Sequence, residues 1–242
     1  STDYVGHQFG AHSKEVQDTY VRLDKEIERL LNYLDNNIGE NKYTLFLTAD
    51  HGATDAPGFL KDNKIPVNYF NSKKFKYHIE KSLIKMFGSK YIISGNSNQQ
   101  IYLNHELIDK LNLNLNLVKK SVINAIQSFP GIDNVYSSEQ ILDGSDGHFI
   151  KLIRNGFNIN LSGDIMYTMM PNWTYYRKGS THGRRFNHDT HVPLILYGNG
   201  IKKGSTNRET DVIDIAPTVA AVLGINSPNA STGRVIFEAI DD

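Results

Sequence analysis

The chain has 242 residues, no cysteine, and 26 basic residues against 26 acidic ones. That length supports one good hydrophobic core with room for a small second subdomain. Zero net charge argues against a surface built to coat nucleic acid or anionic lipid. No run of about 18 apolar residues exists to form a membrane-spanning helix, and with no thiolate available any metal must be held by His and carboxylate.

The chain opens Ser1-Thr2-Asp3-Tyr4, with neither Met nor an apolar leader. No signal peptide is visible, so the expectation is a processed chain or the later part of a longer one. Val16, Tyr20, Leu23, Ile27, Leu30, Leu34 and Ile38 recur at spacings of three and four, predicting an amphipathic helix over 13–38. Ser13 can cap its start and Gly39 can end it. The apolar run Thr44–Ala49 reads as a strand buried on both faces, as in a parallel sheet covered by helices. It ends in Asp50-His51-Gly52.

The middle, 65–170, changes grammar. Helical stripes at Phe75, Ile79, Leu83, Phe87 and at Val118, Val122, Ile126 alternate with short strand-like pieces near 91–93, 100–103 and 133–136. This predicts a small α/β insertion, with the Asn-rich 112–116 as a loop into the second helix. Val192–Tyr197 then reads as another buried strand. Ile215, Val219 and Val222 mark a last helix with Pro217 in its first turn and Gly224 at its end. Three segments, 160–162, 172–174 and 229–231, match the N-glycosylation pattern, which arises often by chance in an Asn-rich chain.

Three clusters can carry chemistry. Asp3 and His7, four apart, aim at one point if a helical turn joins them. Asp50-His51-Gly52 follows a buried strand, where open α/β sheets bind ligands, and serves one centre only if the chain bends there. Thr181-His182-Gly183 is followed by His188-Asp189-Thr190-His191. Each cluster alone reads as an exposed loop or a core histidine, and His78, His105 and His148 lie outside them. Together they offer nitrogen and carboxylate ligands suited to catalytic zinc.

The order Thr-Asp-Tyr-x-Gly-His-Gln, Thr-Ala-Asp-His-Gly and Thr-His-Gly…Asp-Thr-His-Val-Pro-Leu resembles the alkaline phosphatase superfamily. Its nucleotide pyrophosphatase/phosphodiesterase branch is the nearest, and within that the bacterial monomeric phosphate-irrepressible alkaline phosphatases. The tail from Asp214 to Ile225 and Gly233-Arg234 matches as well; the likeness is weaker over 56–150.

The resemblance implies a three-layer α/β/α sandwich with a mostly parallel central sheet. Residues 1–64 and 171–242 would form the core and 65–170 an inserted cap. It implies two zinc ions, one held by Asp3, His7 and His182 (His188 in reserve), the other by Asp50 and His51. Glu15, Asp55 and Asp189 are conceivable partners for the histidine N–H groups. Two such metals would stabilise the attacking and leaving oxygens of an in-line phosphoryl transfer. The implied activity is hydrolysis of phosphate monoesters through a phospho-enzyme.

The family's nucleophilic Thr or Ser, a further Asp ligand and the phosphate-binding groups lie on an earlier segment. The expectation is therefore the C-terminal part of a monomeric enzyme exported to the periplasm or cell surface, inactive alone. Without its N-terminal strands it would show open strand edges and exposed apolar faces. Phosphodiesterase, nucleotide pyrophosphatase, sulfatase, phosphomutase and a non-catalytic module that kept the fold are the alternatives. Trp173, Tyr175, Tyr176 and Tyr102 could shape a leaving-group pocket, with core packing as the plainer role for most.

Overall fold

The computed structural model describes residues 1–143 and 147–241, with 147 and 148 by backbone alone, so the expectation for the His148 side chain lies outside the described residues. In chain order the elements are α1 (Thr2–Phe9), α2 (Lys14–Asn37), β1 (Thr44–Thr48), α3 (Pro57–Asp62), β2 (Asn68–Tyr69), α4 (Ser72–Phe87), β3 (Ile93–Ser97), β4 (Gln100–Leu103) and α5 (His105–Lys110). There follow α6 (Leu115–Gln127), β5 (Ile132–Ser137), α7 (Ser138–Asp143), α8 (Gly147–Asn155), β6 (Ile165–Met169), β7 (Trp173–Thr174), α9 (Asn187–Thr190), β8 (Leu194–Gly198) and α10 (Ile215–Val222).

Local chemistry accounts for many of the boundaries. Ser13 Oγ accepts from the Val16 amide 3.2 Å away and starts α2, and Gly39 closes it in the left-handed region at φ +106. The many asparagines are used as caps: the side chains of Asn71, Asn104 and Asn114 each accept, at 3.0 Å, from the amide three residues on, and start α4, α5 and α6. Asn41, Asn98, Asn112 and Asn172 take positive φ, which Asn tolerates better than other non-glycine residues. The expected Asn-rich loop is thus a turn at Asn112 followed by the cap of α6.

Contacts divide the chain into two compact units. The first holds 1–5, 13–52 and 187–242; the second holds 6–12 and 53–186. In the second unit four antiparallel strands, in the order β3-β4-β6-β5, form a sheet. Its core joins Phe75, Ile79 and Leu83 of α4, Val118, Val122 and Ile126 of α6, and Ile165, Tyr167 and Met169 of β6. The two helical stripes and the alternation along β6 give each element one apolar face. Ile126 is fully buried. An Ile126→Ala chain should lose about 2–5 kcal/mol, read as a lower urea midpoint. Leu117→Ala, on the exposed side of the same helix, should cost under about 0.5 kcal/mol.

α6 also buries Lys119, whose ammonium meets Glu139 and, at 3.3 Å, Ser138 Oγ. Burial alone would raise the Glu139 carboxyl. Hydrogen bonds from Lys119, its own backbone and Ser137, with the Lys119 charge, outweigh that and hold it at about 2.

In the first unit β1 and β8 pair antiparallel, Thr44 opposite Gly198 and Thr48 opposite Leu194. Among the described residues parallel pairing occurs at β2 and β7. β1 is not buried on both faces, since Phe46 is 47% exposed. Along α2 Val16 is buried, while Tyr20, Leu30 and Ile38 are exposed apolar side chains. α10 is entered through Asp214, a buried carboxylate that accepts from the Arg234 amide at 2.8 Å and the Asp211 amide at 3.0 Å. Thr218 Oγ1 links the same helix to the Ile236 amide. The tail motif therefore acts as a structural clasp.

Candidate metal centre

α1 is short because its ends are chemically marked. Ser1 Oγ accepts from the Tyr4 amide at 3.4 Å, and Gly10, at φ +97, closes the last turn on the Gly6 carbonyl. Asp3 and His7 sit one turn apart on this helix, on the same face. His182 joins them: one ligand atom from each of Asp3, His7 and His182 lies within 4.8 Å of the others. The His7 and His182 rings are 5.1 Å apart between centroids.

The segment before His182 is what holds this arrangement. The Ser180 amide donates to the Gly6 carbonyl at 2.9 Å, and Ser180 Oγ accepts from the Ala11 amide at 2.8 Å. Thr54 and Thr181 exchange two bonds, Thr54 N–H to the Thr181 carbonyl at 2.7 Å and Thr181 N–H to Thr54 Oγ1 at 3.0 Å. His7 Nδ1 lies 2.8 Å from the Ser180 carbonyl. A carbonyl can only accept, so Nδ1 carries a proton, and Nε2 is the nitrogen the neutral ring would offer to a metal. The donor set, one carboxylate and two imidazoles, fits a three-ligand catalytic zinc site with a position left for substrate.

Asp50, His51, His188 and Asp189 all belong to the first unit, where the Gly52 backbone meets that of His188 and Asp189. After β1 the chain bends, and adjacent Asp50 and His51 face one another, with His51 Nε2 3.5 Å from Asp50 Oδ2. His51 Nδ1 lies 2.8 Å from the Gly52 carbonyl, which can only accept, so this nitrogen carries a proton as His7 Nδ1 does. The Gly52 amide donates to the Asp189 carbonyl at 2.7 Å. A Cβ on Gly52 would stand 2.0 Å from the His188 carbonyl oxygen. A Gly52→Ala chain should therefore lose about 1–3 kcal/mol of stability, seen as a lower melting temperature, because backbone rather than a flexible side chain has to move.

The conceivable outer partners separate. Asp55 is taken by His12, with Nε2 2.7 Å from Oδ1. Asp189 is buried beside His188, whose Nε2 stands 3.8 Å from its Oδ1. Trp173 packs on the apolar core against Gly131. Tyr175 meets Phe70 edge-on at 5.4 Å. Burial pushes its phenol up, against the pull of the Tyr167 hydrogen bond and the Arg184 charge. Tyr176 is half exposed with its ring 6.4 Å from that of His7. Sequence reading did not single out Gly179, Ser180 and Thr54. A Gly-Ser pair just before a candidate ligand was the available signal.

Residues 1–193 match the family model described as type I phosphodiesterase / nucleotide pyrophosphatase. The chain is 38% identical over 245 residues to a protein of Myroides odoratus named a calcium-transporting ATPase, covering 100% of this chain and 45% of that one. It is 37% identical over 243 residues to alkaline phosphatase PafA of Elizabethkingia meningoseptica, covering 99% of this chain and 44% of that one. The crystal structure of wild-type PafA aligns with a TM-score of 0.91 over 100% of this chain and 46% of that chain. The expected α/β fold class therefore holds, and the chain spans under half the length of these relatives.

Proposed function

We propose, for a chain that belongs to the type I phosphodiesterase / nucleotide pyrophosphatase family, zinc-dependent hydrolysis of phosphate monoesters within the alkaline phosphatase superfamily. The observation that carries the metal reading is the convergence of Asp3, His7 and His182 within 4.8 Å, with His7 held in the ligating tautomer by the Ser180 carbonyl. These three residues would hold one zinc; Asp50 and His51 would hold a second. When bound, such a pair of ions supplies Lewis-acid stabilisation to the attacking and leaving oxygens of an in-line phosphoryl transfer.

The chain's own residues do the positioning. Asp3 brings one negative charge to a helix turn shared with His7. The Ser180 and Gly52 carbonyls hold a proton on His7 Nδ1 and His51 Nδ1, so Nε2 is the nitrogen each neutral ring would offer to a metal. The nucleophilic Thr or Ser is proposed to lie outside residues 1–242, where it forms the phospho-enzyme, so that these residues alone bind metal weakly and do not turn over. The same outside segment would cover Phe46 and the apolar face of α2, and the working form would be an exported monomer. Diester or phosphoanhydride hydrolysis is the second reading, favoured by the description of the family model.

The test is elemental analysis of the longest natural form, with hydrolysis of an aryl phosphate monoester, an aryl diester and ATP in the same preparation. About two zinc per chain with monoesters preferred supports the proposal. Preference for the diester or ATP moves it to the second reading. Neither bound metal nor hydrolysis overturns both.

A further inference from the structure

The hairpin joining β3 to β4 turns on two residues, Asn98 and Gln99, between the paired Ser97 and Gln100. Both residues are left-handed, at φ +48 and +62. Asn is common at the first position of such a turn, whereas the second is a glycine position, because a Cβ there is strained. Gln99 therefore holds an unfavourable backbone conformation where Gly would relieve it. Strain of this kind persists where the surroundings hold it in place, and it concentrates at functional sites.

The surroundings are visible. The Gln99 carbonyl accepts from the Tyr167 amide of β6 at 2.9 Å, which fixes the turn against the sheet. The side chain then reaches out, and its Nε2 donates to the Gly183 carbonyl at 3.3 Å. Gly183 directly follows His182 and is itself left-handed at φ +90. Two residues on, Arg185 pairs with Asp133 of β5 and lies over the Phe149 and Phe186 rings at 5.0 and 5.2 Å. Thr54 and Ser180 pin the chain before His182; Gln99 and Asp133 pin it after.

We propose that Gln99 is a positioning residue for His182, retained at a strained turn because its amide ties the loop behind that ligand to the four-stranded sheet. The inference rests on reading Asp3, His7 and His182 as a metal centre. It assigns the inserted sheet a task in the chemistry, which is to hold one ligand's loop still rather than to touch the substrate.

The test uses two variants of the longest natural form. Gln99→Gly relieves the turn and removes the amide. Gln99→Glu keeps the shape but sets an acceptor against the Gly183 carbonyl. Asn98→Gly is the control, altering the same turn at its tolerant first position while leaving Gln99 in place. Both Gln99 variants should melt no lower than a few degrees below the parent, with Gln99→Gly at or above it. Both should speed amide hydrogen exchange over residues 182–185, and both should weaken zinc, by chelator competition, about 10-fold, the low end for groups that orient a metal ligand. Asn98→Gly should do neither. Unchanged exchange over 182–185 in both Gln99 variants overturns the proposal, as does unchanged zinc affinity in a parent that binds zinc. If the parent binds no zinc, the reading of the centre fails separately, and the exchange measurement still decides whether Gln99 holds the loop.

Discussion

In the longest natural form, His182→Ala is expected to remove one zinc per chain and to lower kcat/KM for an aryl phosphate monoester by more than about 100-fold, a loss beyond what groups that merely orient ligands are worth. The reason is the composition of the centre. Two of the proposed donors, Asp3 and His7, come from one turn of α1, and His182 closes the set from a distant segment. With it gone, two protein donors remain where a catalytic zinc takes three. His188→Ala is the discriminating partner, because His188 stands beside Asp189 in the other group of residues. That chain should keep the first zinc. Elemental analysis and turnover on the two variants decide the assignment, and loss of the first zinc in His188→Ala alone would transfer the third-ligand role to it.

Gly179→Ala is expected to be the most damaging change of a single methyl group near the centre. A Cβ there would lie 1.8 Å from the His7 carbonyl oxygen and 2.7 Å from its carbon. The residue also sits at φ +67, in the left-handed region. Left-handed strain of about 1 kcal/mol adds to an overpacking cost of about 1–3 kcal/mol, and the atoms that must yield are the backbone of the helix bearing Asp3 and His7. A urea midpoint lowered by that sum, with zinc lost at concentrations that load the parent, is the outcome to look for. Gly183→Ala separates the two contributions. At φ +90 it carries the strain, but its Cβ would meet nothing within 4 Å, so it should cost about 1 kcal/mol. Equal melting temperatures for the two variants would show that the approach of residue 179 to α1 does not matter.

Much of this was legible in residue order. The stripe from Val16 to Ile38, with Ser13 before it and Gly39 after, marked α2 to within a residue at each end. The stripes at 75–87 and 118–126 marked α4 and α6, because period and cap are local properties. Asp3 and His7 were readable as a pair because four residues is one helical turn. Burial was less legible. Thr44–Ala49 is an apolar run, and nothing in the run tells how much of Phe46 stays exposed or that its neighbour β8 runs antiparallel. The roles of Gly179 and Ser180 could not be read either. They depend on a backbone-to-backbone approach to Gly6 and His7, a long-range contact without a side-chain signature.

The bond that fixes the His7 tautomer spans 173 residues of chain, and this has a consequence for how the protein is made. At about 5–20 residues per second, roughly nine to thirty-five seconds of synthesis separate the emergence of α1 from that of Ser180. Throughout that interval α1 carries two would-be ligands with no third. Closure of so long a loop is expected to come after the local β3–β4 hairpin has paired. Metal capture by this centre would then report that the chain has finished folding. In a refolding experiment, its rate should follow the slowest structural phase and not the first collapse.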